Sequence, residues 1–149
     1  MNGLDCIAVK FEIAIDASVD LVWQSLVNDT AKWWGSDFYT NPKTKGFHIE
    51  GRLGGRTFED YGDGEGLIWA EVIGVDAPNA IMMKGLLAPD FGGPAISYLS
   101  IKLLPDGSGT RFQLTDTLFG AVNDGTAAQI EAGWKTIYGE ALKNYFESE

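Results

Sequence analysis

Cysteine and histidine are nearly absent from the sequence, which contains only Cys6 and His48. A single cysteine cannot form an internal disulfide, and neither residue has companions at the spacing that a zinc site requires. With one histidine and one cysteine, a Ser-His-Asp or Cys-His catalytic site is also disfavoured. We therefore expect no bound metal, no cofactor, an inert Cys6, and a His48 that faces solvent or is simply hydrogen-bonded.

Positive charge is also scarce, with 11 Lys and Arg residues against 21 Asp and Glu residues and a net charge of −10. Proteins bind nucleic acid and anionic membranes mainly through basic side chains, so neither is an expected partner. No apolar run approaches the roughly 18 residues of a transmembrane helix, and the N-terminus lacks the basic region of a secretory signal. These absences favour a cytoplasmic protein.

The apolar residues that are present follow clear patterns. Hydrophobic residues make up 45% of the 149 residues, enough for one domain spanning residues 1–149. Residues 6–15 alternate between apolar and other side chains, which predicts a strand with one buried face. Helical spacing follows at about 18–28, and a second short helix carries Trp33 and Trp34. Beyond residue 45, glycine-rich turns separate six or seven antiparallel strands, and "EDYGDGEG" is best explained as one of these hairpin turns.

The chain ends in a long amphipathic helix. Its apolar residues step by three or four, and Thr126 and Gln129 have the spacing of a capping box at its start. Gly133 and Gly139 interrupt the helix interior, at about 1 kcal/mol each relative to Ala. A helix that accepts this cost is expected to need room beside it. Strands and helices are segregated along the chain, which predicts an α+β fold with this helix on the concave face of the sheet.

Motifs spread over nearly the whole chain carry a family resemblance. They are "IDASVDLVWQSLVN", "WWG", "GRLGGRTFED", "IWAEVIGVDAPNAI", "DGSGTRFQLTDT" and "GWKTIYGEALKNYF". Their order and spacing resemble the START-like (SRPBCC) superfamily, in particular its polyketide cyclase-like proteins and the branch named after the activator of the heat-shock chaperone ATPase. The resemblance implies the helix-grip fold, in which a curved antiparallel sheet wraps around a long C-terminal helix, with two short helices after strand 1.

The same resemblance leaves the activity open, because the family includes ligand carriers, cyclases, stress proteins and chaperone regulators. Where the family often has a Thr-His pair, this chain has Thr115-Asp116, which weakens any transfer of histidine chemistry. Three hypotheses follow. The chain binds a small, largely apolar molecule between sheet and helix, or it is a cyclase or dehydratase using the same cavity, or it is a chaperone-regulating interaction domain.

Asp116 is the leading candidate for polar chemistry. Phe112, Leu114 and Asp116 share one face by the two-residue period of a strand, so Asp116 is expected to point inward if the other two do. It could then anchor a ligand or act as a general base, with Tyr98 or Tyr138 as the acid. In the alternative, the strand has reached solvent there, or Arg111 or Lys135 pairs with the carboxylate.

Aromatic and apolar residues complete the predicted binding site. Two neighbouring tryptophans cannot occupy the same position, so one of Trp33 and Trp34 is expected to pack in the core and the other to face the opening. Apolar residues in the segment 86–94 either close over a pocket mouth or pad a dimer contact, and both remain open. The expected ligand-binding residues are Trp33, Trp34, Phe58, Trp69, Tyr98, Phe112, Asp116, Ile130, Trp134 and Tyr138.

Overall fold

Seven antiparallel strands form one sheet in the computed structural model, which describes residues 3–147 and so omits both ends of the predicted 1–149 domain. The sheet order is β1-β7-β6-β5-β4-β3-β2. All neighbours except β1 and β7 are consecutive in the chain, so β2 to β7 form a meander and β1 is added at its edge beside β7. The strands are β1 Asp5–Ile15, β2 Gly46–Ile49, β3 Arg56–Gly62, β4 Glu65–Asp76, β5 Ala80–Leu87, β6 Ala95–Asp106 and β7 Gly109–Gly120.

Two short helices follow β1, and one long helix ends the described chain. The short helices are α1 Val19–Val27 and α2 Thr30–Trp33. The long one, called here the C-terminal helix, runs continuously through α3 Asp124–Trp134, a π-helical segment Lys135–Leu142 and α4 Lys143–Glu147. The sheet curves around this helix, as the helix-grip resemblance implied.

The main core lies between the inner face of the sheet and the C-terminal helix. On β7, every second residue from Phe112 to Leu118 is buried, which confirms the predicted alternation. Facing them, Ile137, Tyr138 and Leu142 of the C-terminal helix belong to the same buried cluster. The helix covers the sheet because both present an apolar face that is stabilised by removal from water.

Local signals account for the ends of several elements. At the β3–β4 hairpin, Asp63 and Gly64 both have positive φ, 58° and 80°, as a tight two-residue turn requires. This confirms "EDYGDGEG" as a hairpin turn. The capping box of α3 is formed by Asn123 and Thr126, so the predicted pairing of Thr126 with Gln129 is wrong and the helix begins earlier, at Asp124.

The π-helical segment is a departure from the regular helix that the apolar spacing predicted. It begins directly after Trp134 and contains Ile137 and Tyr138, which face the sheet. Such segments are rare and are frequently found at functional sites. Within residues 3–147, no helix combines the length and the apolar character needed to cross a lipid bilayer.

Candidate functional site

A cavity of about 440 Å³ lies between the sheet and the C-terminal helix. This volume is within the range of small-molecule sites, roughly 300–1,000 Å³. The sheet contributes Thr57, Trp69, Met83, Ser97, Leu99 and Asp116 to its wall. The C-terminal helix contributes Ile130, Gly133, Trp134, Ile137 and Tyr138. A second depression, formed only by residues of the segment 36–44, contains no charged side chain and lies at the surface.

Four aromatic rings form a closed group on the cavity wall. The ring centroids of Trp34 and Trp69 are 5.6 Å apart, and those of Trp69 and Trp134 are 6.4 Å apart. Tyr138 completes the group, at 5.5 Å from Trp134 and 6.2 Å from Trp34. Trp34 is held in place by Phe47, whose ring stacks on it at 3.6 Å. The wall is therefore a continuous aromatic surface drawn from the residue after α2, the sheet and the C-terminal helix.

Asp116 is the one charged residue among the described residues that line the cavity. It is 2% exposed. Its Oδ1 accepts a hydrogen bond from Ser97 Oγ at 2.5 Å, and its Oδ2 accepts one from Trp134 Nε1 at 2.9 Å. Burial raises the pKa of the Asp116 carboxyl above its ordinary value, and the two hydrogen bonds oppose that rise only in part.

The predicted inward position of Asp116 is therefore confirmed, but its suggested partners are not. Arg111 forms an ion pair with Glu12 at 3.6 Å, and Lys135 forms one with Glu131 at 2.8 Å. Both cationic side chains therefore pair with carboxylates at the surface. Asp116 is instead held by two neutral donors, so its charge has no cationic neighbour among the described residues that contact it.

Tyr138 is the second titratable group on the wall. Burial raises the pKa of its hydroxyl well above the ordinary value of tyrosine, and the negative charge of Asp116 raises it further. The phenol therefore stays neutral over the physiological pH range. In that state its hydroxyl can donate or accept a hydrogen bond.

Glu59 is a functional candidate that the sequence analysis missed. It is 0% exposed and accepts hydrogen bonds from Thr44 Oγ1 at 2.7 Å and from the Thr40 backbone amide at 3.0 Å. It also accepts one from Trp69 Nε1 at 3.1 Å. Several donors offset the desolvation of this carboxylate. Glu59 thus orients the Trp69 ring and ties the segment before β2 to the sheet.

The two neighbouring tryptophans divide between core and cavity. Trp33 packs in the core, and its Nε1 donates a hydrogen bond to the Ser25 carbonyl oxygen at 2.7 Å. Trp34 lines the cavity and is 3% exposed. Its Nε1 is the one buried side-chain polar atom without a hydrogen-bond partner in the described part of the chain.

Four of the predicted lining residues do not line the cavity. Trp33 and Phe112 are core residues that pack against Tyr138, at 5.7 Å and 5.1 Å between centroids. Phe58 and Tyr98 lie on the outer face of the sheet, because their strand neighbours point inward. Tyr98 is 49% exposed, so it cannot act as an acid toward Asp116.

His48 and Cys6 also lie on the outer face of the sheet. His48 is exposed on β2, where its ring packs 5.4 Å from that of Phe58. The guanidinium of Arg56 also lies over the Phe58 ring, 4.2 Å from its centre. Cys6 is exposed at the start of β1. Within residues 3–147, no cluster of three His, Cys, Asp or Glu residues is placed to hold a metal ion.

The mouth of the cavity is rimmed by apolar side chains. Leu86 is 75% exposed and Phe91 is also exposed, yet both border the cavity. The predicted loop 86–94 therefore lies at the mouth, although its first two residues belong to β5 and Pro89–Phe91 form a 3₁₀ turn. The rim comprises Phe38, Leu67, Ile68, Leu86, Leu87 and Phe91.

No protein-family model matches the chain, and no curated protein sequence matches it either. Solved structures do match over nearly the whole chain. Ara h 8.0201 is 12% identical with a TM-score of 0.72, covering 97% of this chain and 100% of that one. The Aha1 dimer from Colwellia psychrerythraea is 17% identical with a TM-score of 0.67, covering 95% and 96%. The chain has the START-like helix-grip fold.

A third match concerns a longer protein. DynU16, from the dynemicin biosynthetic locus, is 22% identical with a TM-score of 0.69 over 94% of this chain. The present chain spans only 47% of DynU16. At these identities the likeness establishes the helix-grip fold alone, and function has to be argued from the cavity.

Proposed function

We propose that this chain binds a small, largely apolar molecule in the cavity between the sheet and the C-terminal helix. The observation that carries the proposal is the open space beside Gly133, where an added Cβ would meet no atom within 4 Å. Protein interiors are normally close-packed. A helix that keeps a destabilising glycine beside a cavity of about 440 Å³ is arranged to leave that volume free.

The cavity offers both burial and orientation to such a molecule. Aliphatic and aromatic side chains form most of the wall and stabilise an apolar body by removing it from water. The carboxylate of Asp116 and the hydroxyl of Ser97 supply a small polar group at one place, and Tyr138 lines the same cavity. A ligand with one polar group on an apolar frame fits this distribution.

Two measurements test the proposal. Native mass spectrometry of freshly purified protein should reveal a retained small molecule, which extraction then identifies. The neutral probe N-phenyl-1-naphthylamine should bind saturably with one site and an increase in fluorescence. A protein that carries no molecule and gives no saturable fluorescence would contradict the proposal.

A catalytic role is the second candidate, because Asp116 points inward and burial raises its pKa. A carboxylate has about four lone-pair sites, so the two hydrogen bonds it accepts leave it able to take a proton from a ligand. Tyr138 would then be the hydrogen-bond donor. Once a turned-over molecule is known, Asp116→Asn should abolish the reaction, and unchanged turnover would exclude this role.

A chaperone-regulating role and a homodimer stay predictions. A structural neighbour is described as the Aha1 dimer, and exposed apolar residues on the outer face, including Ile96 and Phe119, could be buried in a dimer. Light scattering at several protein concentrations tests the dimer.

A pull-down at physiological salt that recovers no chaperone would count against the chaperone-regulating role. Cytoplasmic location and the absence of nucleic-acid binding are likewise expectations.

A further inference from the structure

Two buried carboxylates border the aromatic wall without a cationic partner. Among the described residues, Asp116 accepts hydrogen bonds only from Ser97 and Trp134, and the contacts of Glu59 are with neutral donors. None of the ion pairs among the described residues includes either carboxylate. The described residues that line the cavity include no Lys, Arg or His. Negative charge at this site is therefore left uncompensated by the part of the chain that the structure describes.

The same two carboxylates hold the indoles of the wall. Asp116 accepts from Trp134 Nε1 and Glu59 accepts from Trp69 Nε1, at 2.9 Å and 3.1 Å. A hydrogen bond from the indole N–H to a carboxylate increases the electron density of the ring. Electron-rich ring faces attract cations, and Trp is the best of the aromatic side chains in this respect. Asp116 thus acts on a bound cation both directly and through Trp134, whereas Glu59, which does not line the cavity, acts through Trp69.

We propose that the physiological ligand is an organic cation, an amine or quaternary ammonium group on an apolar body. The inference rests on the proposed binding function of the same cavity and adds the charge of the ligand. The cationic group lies among Trp34, Trp69, Trp134 and Tyr138, beside the Asp116 carboxylate. A carboxylate or phosphate ligand is disfavoured, because it would enter a desolvated site beside Asp116 with no basic side chain among the described lining residues to pair with it.

The charge of the whole chain acts in the same direction. A net charge of −10 attracts cations and repels anions, and a cleft with apolar walls concentrates that field. A quaternary ammonium group is also weakly hydrated compared with a metal ion, so entering the cavity costs it less. Both effects favour an organic cation over an inorganic one.

Three probes of similar shape test the charge preference in the unmodified protein. They are phenyltrimethylammonium, its neutral isostere tert-butylbenzene, and the anion 4-tert-butylbenzoate, each measured by displacement of N-phenyl-1-naphthylamine. We expect the cation to bind about tenfold or more tighter than tert-butylbenzene, and the anion to bind weakest. Equal or tighter binding of tert-butylbenzene would overturn the inference while leaving the proposed function intact. If neither the fluorescent probe nor any of the three binds, both proposals fail.

Asp116→Asn assigns the preference to a residue. Asparagine keeps the shape and can still accept from Trp134 and donate to Ser97, so the neutral isostere should bind within about twofold of the unmodified protein. The affinity for phenyltrimethylammonium should fall about tenfold. Glu12→Gln is the matched control, because it removes one charge from an exposed surface ion pair and should change neither affinity.

Two outcomes with Asp116→Asn are informative. An Asp116→Asn protein that keeps its tenfold preference for the cation would contradict the role of this carboxylate. If Asp116→Asn does not fold, the ranking of the three probes on the unmodified protein decides alone.

Discussion

A substitution that fills the space beside Gly133 tests the cavity directly. An added Cβ at this position meets no atom within 4 Å, so Gly133→Leu places its side chain in open volume without a clash at Cβ. Leucine is favoured over glycine in a helix interior by about 0.8 kcal/mol. Burial of the side chain against the apolar wall adds about 2 kcal/mol. The free energy of unfolding should therefore rise by about 3 kcal/mol.

The same substitution removes binding volume. A leucine side chain occupies a substantial share of the 440 Å³ cavity beside Trp134, so the affinity for N-phenyl-1-naphthylamine should fall at least about tenfold, equivalent to about 1.4 kcal/mol. Urea unfolding gives the stability, and fluorescence titration gives the affinity. Stability and binding should thus change in opposite directions, which a general disturbance of the fold would not produce.

Gly139→Ala supplies the matched control. Its Cβ would make ordinary contacts, 3.6 Å from Ile13 Cδ1 and 3.8 Å from Lys135 Cβ, and Gly139 is not among the lining residues. This variant should gain about 1 kcal/mol from helix propensity and bind the probe normally. The reasoning is refuted if Gly133→Leu destabilises the protein, or if it binds the probe as tightly as Gly139→Ala does.

Three further predictions concern the buried polar groups. Because burial raises the pKa of Asp116, the native state holds this proton more tightly than the unfolded state. The contribution of Asp116 to stability is therefore fully present below the ordinary aspartate pKa of about 3.9, and it is lost as the pH rises through the native pKa. Asp116→Asn should remove this decline in stability. Urea unfolding from acid to neutral pH measures it. Glu59→Gln should lower the free energy of unfolding by about 3 kcal/mol, because one amide oxygen cannot serve all of its buried donors, and a loss below about 1 kcal/mol would contradict this. Trp33→Phe should destabilise the protein by about 1 kcal/mol more than Trp34→Phe, since only Trp33 donates to the Ser25 carbonyl; the reverse order in thermal unfolding would be inconsistent with the assigned hydrogen bonds.

Sequence patterns were sufficient for the architecture. Alternating side chains in β1 and β7, glycine-rich turns and the broad apolar stripe of the last helix predicted an α+β fold with a curved antiparallel sheet. They could not predict the π-helical segment Lys135–Leu142, because an apolar spacing of three or four is compatible with more than one helical winding.

The candidate site was predicted in part, and the errors have a common cause. Alternation places Phe58 and Glu59 on opposite faces of β3, but it does not say which face is covered. Residue hydrophobicity favoured Phe58 as the inward residue, whereas Glu59 is the buried one. The same uncertainty put Tyr98 in the cavity, although its neighbour Ser97 is the residue that contacts Asp116.

By itself, the sequence determined the local order: which segments are strands or helices, where the turns fall, and which residues share a face. These properties depend on neighbours a few positions apart. Only the tertiary structure decided which face lies inside, because that depends on a helix and strands that are distant in sequence. It brought Ser97 and Trp134 to the two oxygens of Asp116 from 19 and 18 residues away. It also divided the two tryptophans, turning Trp33 into the core and Trp34 toward the cavity.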